Sequence, residues 1–252
     1  MYRYVLLGLL QGLTEFLPVS SSGHLVLAQR LLGLDSPGVA LEAALHLGTL
    51  LAVVIYFWGD VARLAAGSLR PSGREERRYV LFLILATLPI ALAGFLGRGL
   101  LERAFSSPRL VGALLLVTAL VLAAACLRSP RRRGVVLGDA IWVGIAQVAA
   151  LLPGISRSGI TISAGLLRGL SPEEAARFSF LLSIPAVAGA GVLGLLDGGG
   201  QAGEGAGLLV GALVALASGL GAIHFLLRLL YRGRLWWFSV YCLAVGIVAL
   251  VL

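Results

Sequence analysis

Charge is what this sequence has least of. Only 13% of its 252 residues are Asp, Glu, Lys or Arg, about half the share usual in a soluble domain, so a water-soluble fold of this length is a poor fit. Lysine is missing altogether; every basic residue other than the three His is arginine, which reflects genome composition and carries no argument. The two cysteines, Cys126 and Cys242, lie inside apolar runs and read as small hydrophobic residues, not as a disulfide or metal site. With so few His and Cys, a zinc site is not expected. Nor is there a Walker-type loop, a Rossmann fingerprint or a zincin motif. A cleavable leader is not expected either, because Gln11, Thr14 and Glu15 interrupt the apolar start Val5 to Leu10 and no small-residue cleavage site follows.

Apolar sequence is abundant: 59% of the residues are hydrophobic and the mean hydropathy is +0.97. Six runs long enough to cross a hydrocarbon core of about 30 Å lie at 39–58, 79–97, 108–127, 176–196, 206–227 and 235–252. The net charge of +8 would point to nucleic acid in a soluble protein. Here the arginines sit mostly in short loops between apolar runs, which is a topology signal and gives no nucleic-acid partner.

Two further segments are apolar but too short and too polar to span. Val5 to Leu17 is 13 residues, about 20 Å as a helix; it meets Pro18 and the string Ser20, Ser21, Ser22, Gly23, His24 before apolar character returns. The second runs from Val136 to Leu152, breaks at Pro153 and Gly154, and resumes after Ser156, Arg157, Ser158, Gly159. Both read as re-entrant hairpins, at 4–32 and 136–167. SSSG at 20–23 matches SRSG at 156–159 at an offset of 136, which also aligns Gln11 with Gln147. Each hairpin is followed by three full spans, the pattern of an internal repeat, with halves at 1–134 and 135–252.

Because three is odd, the second repeat is inverted relative to the first. The expected fold class is therefore an all-α integral membrane protein with an inverted-topology repeat, each half one re-entrant helical hairpin plus three transmembrane helices. Two hairpins entering from opposite faces bring their broken tips together near the midplane, where irregular backbone needs a protein-lined or wet cavity. Fourteen arginines fall on one side and five on the other, with Arg157 inside. The richer side is then cytoplasmic, both termini lie outside, and the first hairpin opens outward. The run Ala186 to Gly194 allows close helix contact, which serves intramolecular packing as well as a homodimer.

Polar groups at membrane depth are expensive, so those in the hairpin tips are functional candidates. Gln11 and Glu15, four apart on one helix face, suit a divalent cation or an oriented water; the plainer reading is that Glu15 pairs with an arginine to hold the hairpins together. The serine strings precede two short helices whose N-termini are anion sites, although each serine alone is equally an ordinary N-cap. Hydroxyls, backbone donors and one guanidinium around a point match a phosphate or diphosphate better than any cation. Arg157 reads as a phosphate clamp, with a structural salt bridge to Glu15 or Glu42 as the rival. His24 suits a general acid or base, or a place in a hydrogen-bond network. Glu42 and His46, also four apart, read as support for the cavity or a buried pair.

At these residues the chain resembles the undecaprenyl-diphosphate phosphatase family, the bacitracin-resistance proteins of bacterial membranes. The matching motifs are QGLTEFLPVSSSGHL from Gln11 to Leu25 and LLPGISRSGITIS from Leu151 to Ser163. Further likeness runs through LEAALHLGTLLAVVIYFW at 41–58 and ARFSFLLSIPAV at 176–187. The family's first motif is an acidic or amide residue with Glu four positions on; Gln11 here leaves Glu15 as the main candidate ligand or base.

The resemblance implies hydrolysis of undecaprenyl diphosphate to the monophosphate carrier at the outer face of the inner membrane, recycling the carrier for cell-wall synthesis, with Mg²⁺ or Ca²⁺ held chiefly by Glu15, Gln11 being a secondary candidate ligand. It carries the catalytic roles to Glu15, Ser21, His24 and Arg157; the hydroxyls and helix-end amides beside them assign phosphate binding to Ser20, Ser22, Gly23, Ser156, Ser158, Gly159 and Thr161. Ser21 would attack the terminal phosphorus, His24 handle protons and Glu15 hold the ion or activate water; direct attack by water is the competing route. A transporter or polyprenyl-phosphate flippase using the same midplane anion site is the alternative.

Overall fold

A computed structural model describes residues 1–32, 39–97, 99, 104, 107–128, 134–197 and 205–251. Eleven α-helices and no strands occur among them: α1 (Tyr2–Phe16), α2 (Ser21–Leu32), α3 (Val39–Tyr56), α4 (Trp58–Leu69), α5 (Arg74–Leu96), α6 (Pro108–Cys126), α7 (Leu137–Val148), α8 (Arg157–Leu167), α9 (Pro172–Asp197), α10 (Gly205–Tyr231) and α11 (Trp236–Val251). Arg98, Arg103, Arg131, Arg132 and Arg133, which enter the orientation count, and residues 198–204 lie outside the described residues.

The surface is apolar and the interior holds much of the polar chemistry. On α5, Leu81, Ile84, Leu88, Leu92 and Phe95 are at least half exposed and recur every three or four residues, one helix face. A stripe of that kind has no place against water; it suits lipid. Gln11, Asp139, Gln147, Ser158 and Ser163 are buried at 0 to 1% exposure. Three helices, α5, α6 and α10, are long and apolar enough to cross a membrane. The chain is a multi-pass, all-helical protein.

The run expected at 39–58 does not end in a loop. At Phe57 the helix bends by 77° into α4, an amphipathic helix that buries Leu64 and packs on α5. Asp60 on α4 meets Arg177 at 3.6 Å, tying α4 to α9. Twelve residues with one buried leucine are too few to stand out against membrane-length runs.

Both hairpin helices end for the same local reason. Leu17 and Leu152 each precede a proline, whose ring disfavours helical backbone in the residue before it, and both are extended (ψ 142 and 132). Each following helix starts at a serine cap: Gly23 N–H donates to Ser20 Oγ at 3.3 Å, and Gly159 N–H to Ser156 Oγ at 3.1 Å. The arms are short, 15 residues in α1 and 12 in α7, or about 22 and 18 Å.

Small residues let the first arms sink against long helices. α1 packs on α10, and α7 on α5. A Cβ on Gly12 would stand 2.5 Å from the Ala215 carbonyl oxygen, and one on Gly144 2.7 Å from Ala86 Cα; both neighbours are backbone, so the helices themselves would have to part. Gly12→Ala is expected to destabilise the protein by roughly 1–3 kcal/mol through overpacking. A thermal unfolding midpoint in detergent equal to wild type would show that the seam is looser than this.

Candidate active site

The two hairpin tips interlock. Ser20 is the only non-glycine residue with positive φ among the described residues (φ 70), a conformation that costs free energy for an L side chain. Its Oγ accepts the N–H of Gly154 from the other tip at 3.1 Å as well as that of Gly23. Ser158 Oγ donates to the Leu17 carbonyl at 3.2 Å, returning the tie. Gly154 itself has φ 104, and a Cβ there would lie 2.5 Å from the Val111 carbonyl oxygen, so only glycine fits the turn.

Around this joint the polar side chains converge. Arg157 Nη2 donates to Glu15 Oε1 at 2.6 Å. The other carboxylate oxygen accepts from Ser21 Oγ at 2.6 Å and from Gln11 Nε2 at 3.1 Å. Gln11 Nε2 also lies 3.2 Å from His46 Nδ1. The side chains of Glu15 and Arg157 are 7% and 13% exposed, so the pair is nearly desolvated, where charge-assisted bonds are strongest. It borders a cavity of about 170 Å³ whose polar wall is Thr14, Glu15, Ser20, Ser21, Ser22, His46, Ser156 and Arg157.

Unused bonding capacity remains in this set. Arg157 Nη1 and Gln11 Oε1 are buried without a partner among the described residues, and buried polar atoms are rarely left so. Each cap consumes one amide, and the other first-turn N–H groups of α2 and α8 have no acceptor within their own helices. A guanidinium nitrogen, hydroxyls and helix-end amides at one cavity are a binding set for an anion.

Every sequence-predicted site residue lies in the described residues, but not all meet. Gln11, Glu15, Ser21, His46 and Arg157 are brought together. Ser20 and Ser156 are spent on capping and tip contacts, and Ser156 Oγ and Ser158 Oγ lie 3.2 Å apart. Thr161 Oγ1 donates back to the Arg157 carbonyl at 2.7 Å and meets Ser179 Oγ at 2.6 Å, so it steadies the helix that carries Arg157. Glu42 is exposed and does not line the cavity. His24 faces away from Ser21: its Nδ1 is 2.8 Å from the Ser20 carbonyl oxygen and its Nε2 2.8 Å from the Tyr241 hydroxyl, with the two rings stacked.

A family model described as bacitracin resistance protein BacA matches residues 4–248. The chain belongs to the BacA family. Curated members are similar over nearly their whole length. A protein of Desulfatibacillum aliphaticivorans named undecaprenyl-diphosphatase is 44% identical, covering 98% of this chain and 96% of its own. One of Syntrophotalea carbinolica with the same name is 45% identical over 96% and 95%, and one of Carboxydothermus hydrogenoformans, again so named, is 42% identical over 100% and 97%.

Two residues of this BacA-family site escape sequence reasoning. Thr118, in the middle of α6, donates to the Gly154 carbonyl at 2.8 Å and accepts from Ser156 N–H at 3.1 Å, clamping the second tip. A lone hydroxyl inside an apolar span was the available signal. Tyr241 sits near the C-terminus, where nothing in the sequence links it to His24. The interlock yields a prediction: Ser20→Ala leaves the buried amide of Gly154 without its acceptor and should cost about 1–3 kcal/mol. An unaltered melting temperature in detergent would remove Ser20 as the latch.

Proposed function

We propose that this chain is a polyprenyl diphosphate phosphatase, removing the terminal phosphate of undecaprenyl diphosphate to give undecaprenyl phosphate and inorganic phosphate. The observation that carries the reading is the line Ser21 to Glu15 to Arg157, two bonds of 2.6 Å each. It joins a hydroxyl nucleophile, its proton acceptor and a guanidinium with a buried nitrogen to spare. A carrier needs the anion site but not a serine hydroxyl donating to a buried carboxylate. The family and the names of its curated members agree.

In the proposed reaction the terminal phosphate of the diphosphate sits against Arg157 Nη1 and the first-turn amides, which stabilise charge as it develops on the transferring group. Ser21 Oγ attacks that phosphorus, giving its proton to Glu15 Oε2. The bond from phosphorus to the bridging oxygen breaks and undecaprenyl phosphate leaves. Water then cleaves the phosphoserine and releases phosphate. His24, engaged with Ser20 and Tyr241, shapes the tip rather than touching Ser21, so the proton falls to Glu15.

A divalent cation, Mg²⁺ or Ca²⁺, fits the donor set: the partnerless oxygen of Gln11 and the carboxylate of Glu15 are hard oxygen ligands one turn apart, and diphosphate oxygens and waters complete such shells. When bound it would offset diphosphate charge.

The finer topology belongs to the same proposal: six spans and two re-entrant hairpins in inverted halves, with the site open to the outer face of a bacterial inner membrane. The equivalent caps, equivalent pre-proline breaks, and small-residue seams at Gly8 and Gly144, again 136 residues apart, support the repeat. The arginine asymmetry supports the orientation. The side chains that meet at Glu15 all come from one chain. The test is phosphate release from undecaprenyl diphosphate by purified protein in detergent, with and without Mg²⁺ or Ca²⁺. Steady release is expected; no release with any divalent ion would leave a binding or flipping role.

A further inference from the structure

The cavity that holds the anion set is not polar all round. Its remaining wall is Ile90, Ala150, Ile155, Ala186 and Val187, contributed by α5, the turn after α7 and α9. Ile155 and Val187 are buried, whereas Ile90, Ala150 and Ala186 are half-exposed, so this wall runs from the charged interior to the outer surface. One space with a cationic, hydroxyl-lined end and an apolar, surface-reaching end has the polarity of an amphiphile.

We infer that the prenyl chain of the substrate leaves the cavity sideways, through a portal between α5 and α9 floored by Ile90, Ala150, Ile155, Ala186 and Val187. This deepens the phosphatase reading and rests on it. Two further features point the same way. α5 and α9 touch each other, and each carries a proline beside the wall, Pro89 next to Ile90 and Pro185 next to Ala186. A proline inside a helix removes the bond to the carbonyl four residues back, here Leu85 and Leu181, and loosens both portal helices at the level where a chain must pass. Outside Ile90 the surface of α5 continues apolar through Leu88 and Leu92, 55% and 62% exposed.

A second apolar groove, of about 360 Å³, runs along Leu10, Leu27, Tyr241 and Val245. It is larger, but Glu15, Ser21 and Arg157 do not line it, and its polar groups, His24 and Tyr241, satisfy each other. An amphiphile bound there would have its head group outside the anion set. Of these two spaces among the described residues, the α5–α9 portal is the one that joins tail to head.

Two measurements test this. The wild-type protein is irradiated with undecaprenyl diphosphate bearing a diazirine on the isoprene unit nearest the diphosphate, and labelled peptides are located by mass spectrometry. Label at Ile90 or at Ala186 and Val187 is expected; label at Leu27, Tyr241 or Val245, or elsewhere, overturns the portal. Because this reads binding, it reports even if the protein releases no phosphate, which would sink the phosphatase reading separately. In the second, Ala186→Trp narrows the portal. The ratio of kcat/KM for undecaprenyl diphosphate to that for farnesyl diphosphate should fall at least tenfold, since a short chain needs less of the passage; an equal change for both substrates overturns the inference.

Discussion

Ser21→Ala is expected to lower kcat by about 10³-fold or more, while the variant still folds and still binds lipid diphosphate. The size follows from losing a nucleophile together with the proton transfer that activates it, each worth orders of magnitude in rate. The fold should survive because Ser21 is only half-buried and gives up a single hydrogen bond, to Glu15 Oε2, about 1.5 to 3 kcal/mol for a bond to a charged group. Acid quenching of the wild-type enzyme during turnover of substrate labelled in its terminal phosphate should trap a phosphoserine at Ser21. If the alanine variant keeps more than a tenth of wild-type kcat and no phosphoserine forms, water is the nucleophile and Glu15 activates it instead.

Arg157→Lys should lower kcat/KM by about 10²- to 10³-fold, the range lost when one fixed donor to a developing oxyanion is removed. Lysine keeps the charge and can still reach toward Glu15, so the buried carboxylate retains a counter-ion. What disappears is the second nitrogen of a planar fork, the one without a partner among the described residues; a point charge cannot hold Glu15 and a phosphate in two fixed directions. Arg157→Ala is a different experiment. It strands Glu15, 7% exposed, without its cation, and should cost about 3–5 kcal/mol of stability besides activity. Near-normal kcat/KM in the lysine variant, with the alanine variant merely unstable, would reduce Arg157 to a structural salt bridge.

That rival was visible in the sequence, and the structure holds both halves of it. Arg157 does pair with Glu15, yet the pair occupies only one of its terminal nitrogens and only one of the carboxylate oxygens. The other oxygen serves Ser21. A purely structural bridge gives no reason to aim a serine hydroxyl at the same carboxylate.

Local chemistry was readable at the hairpins because its causes span few residues. Pro18 and Pro153 end helices through the residue before them, Ser20 and Ser156 cap the helices that follow, and Gln11 and Glu15 share a face by helical period alone. The membrane class was equally accessible, since length and hydropathy of a run need no partner. α4 was missed for the converse reason: its stability comes from packing Leu64 and the Asp60–Arg177 contact against other helices, and its twelve residues carry little signal alone.

What no local pattern contains is which distant groups touch. Glu15 and Arg157 are 142 residues apart in the chain and Ser20 and Gly154 134, and both contacts arise only when the two hairpins seat against α10 and α5. Residue types and spacing alone gave the family, the apolar helical class and a polar set at the hairpin tips. Only the folded chain decides the partners: Ser21, just past the turn through Ser20, bonds Glu15, while His24 bonds the Ser20 carbonyl and Tyr241 instead of the hydroxyl with which the sequence pairs it.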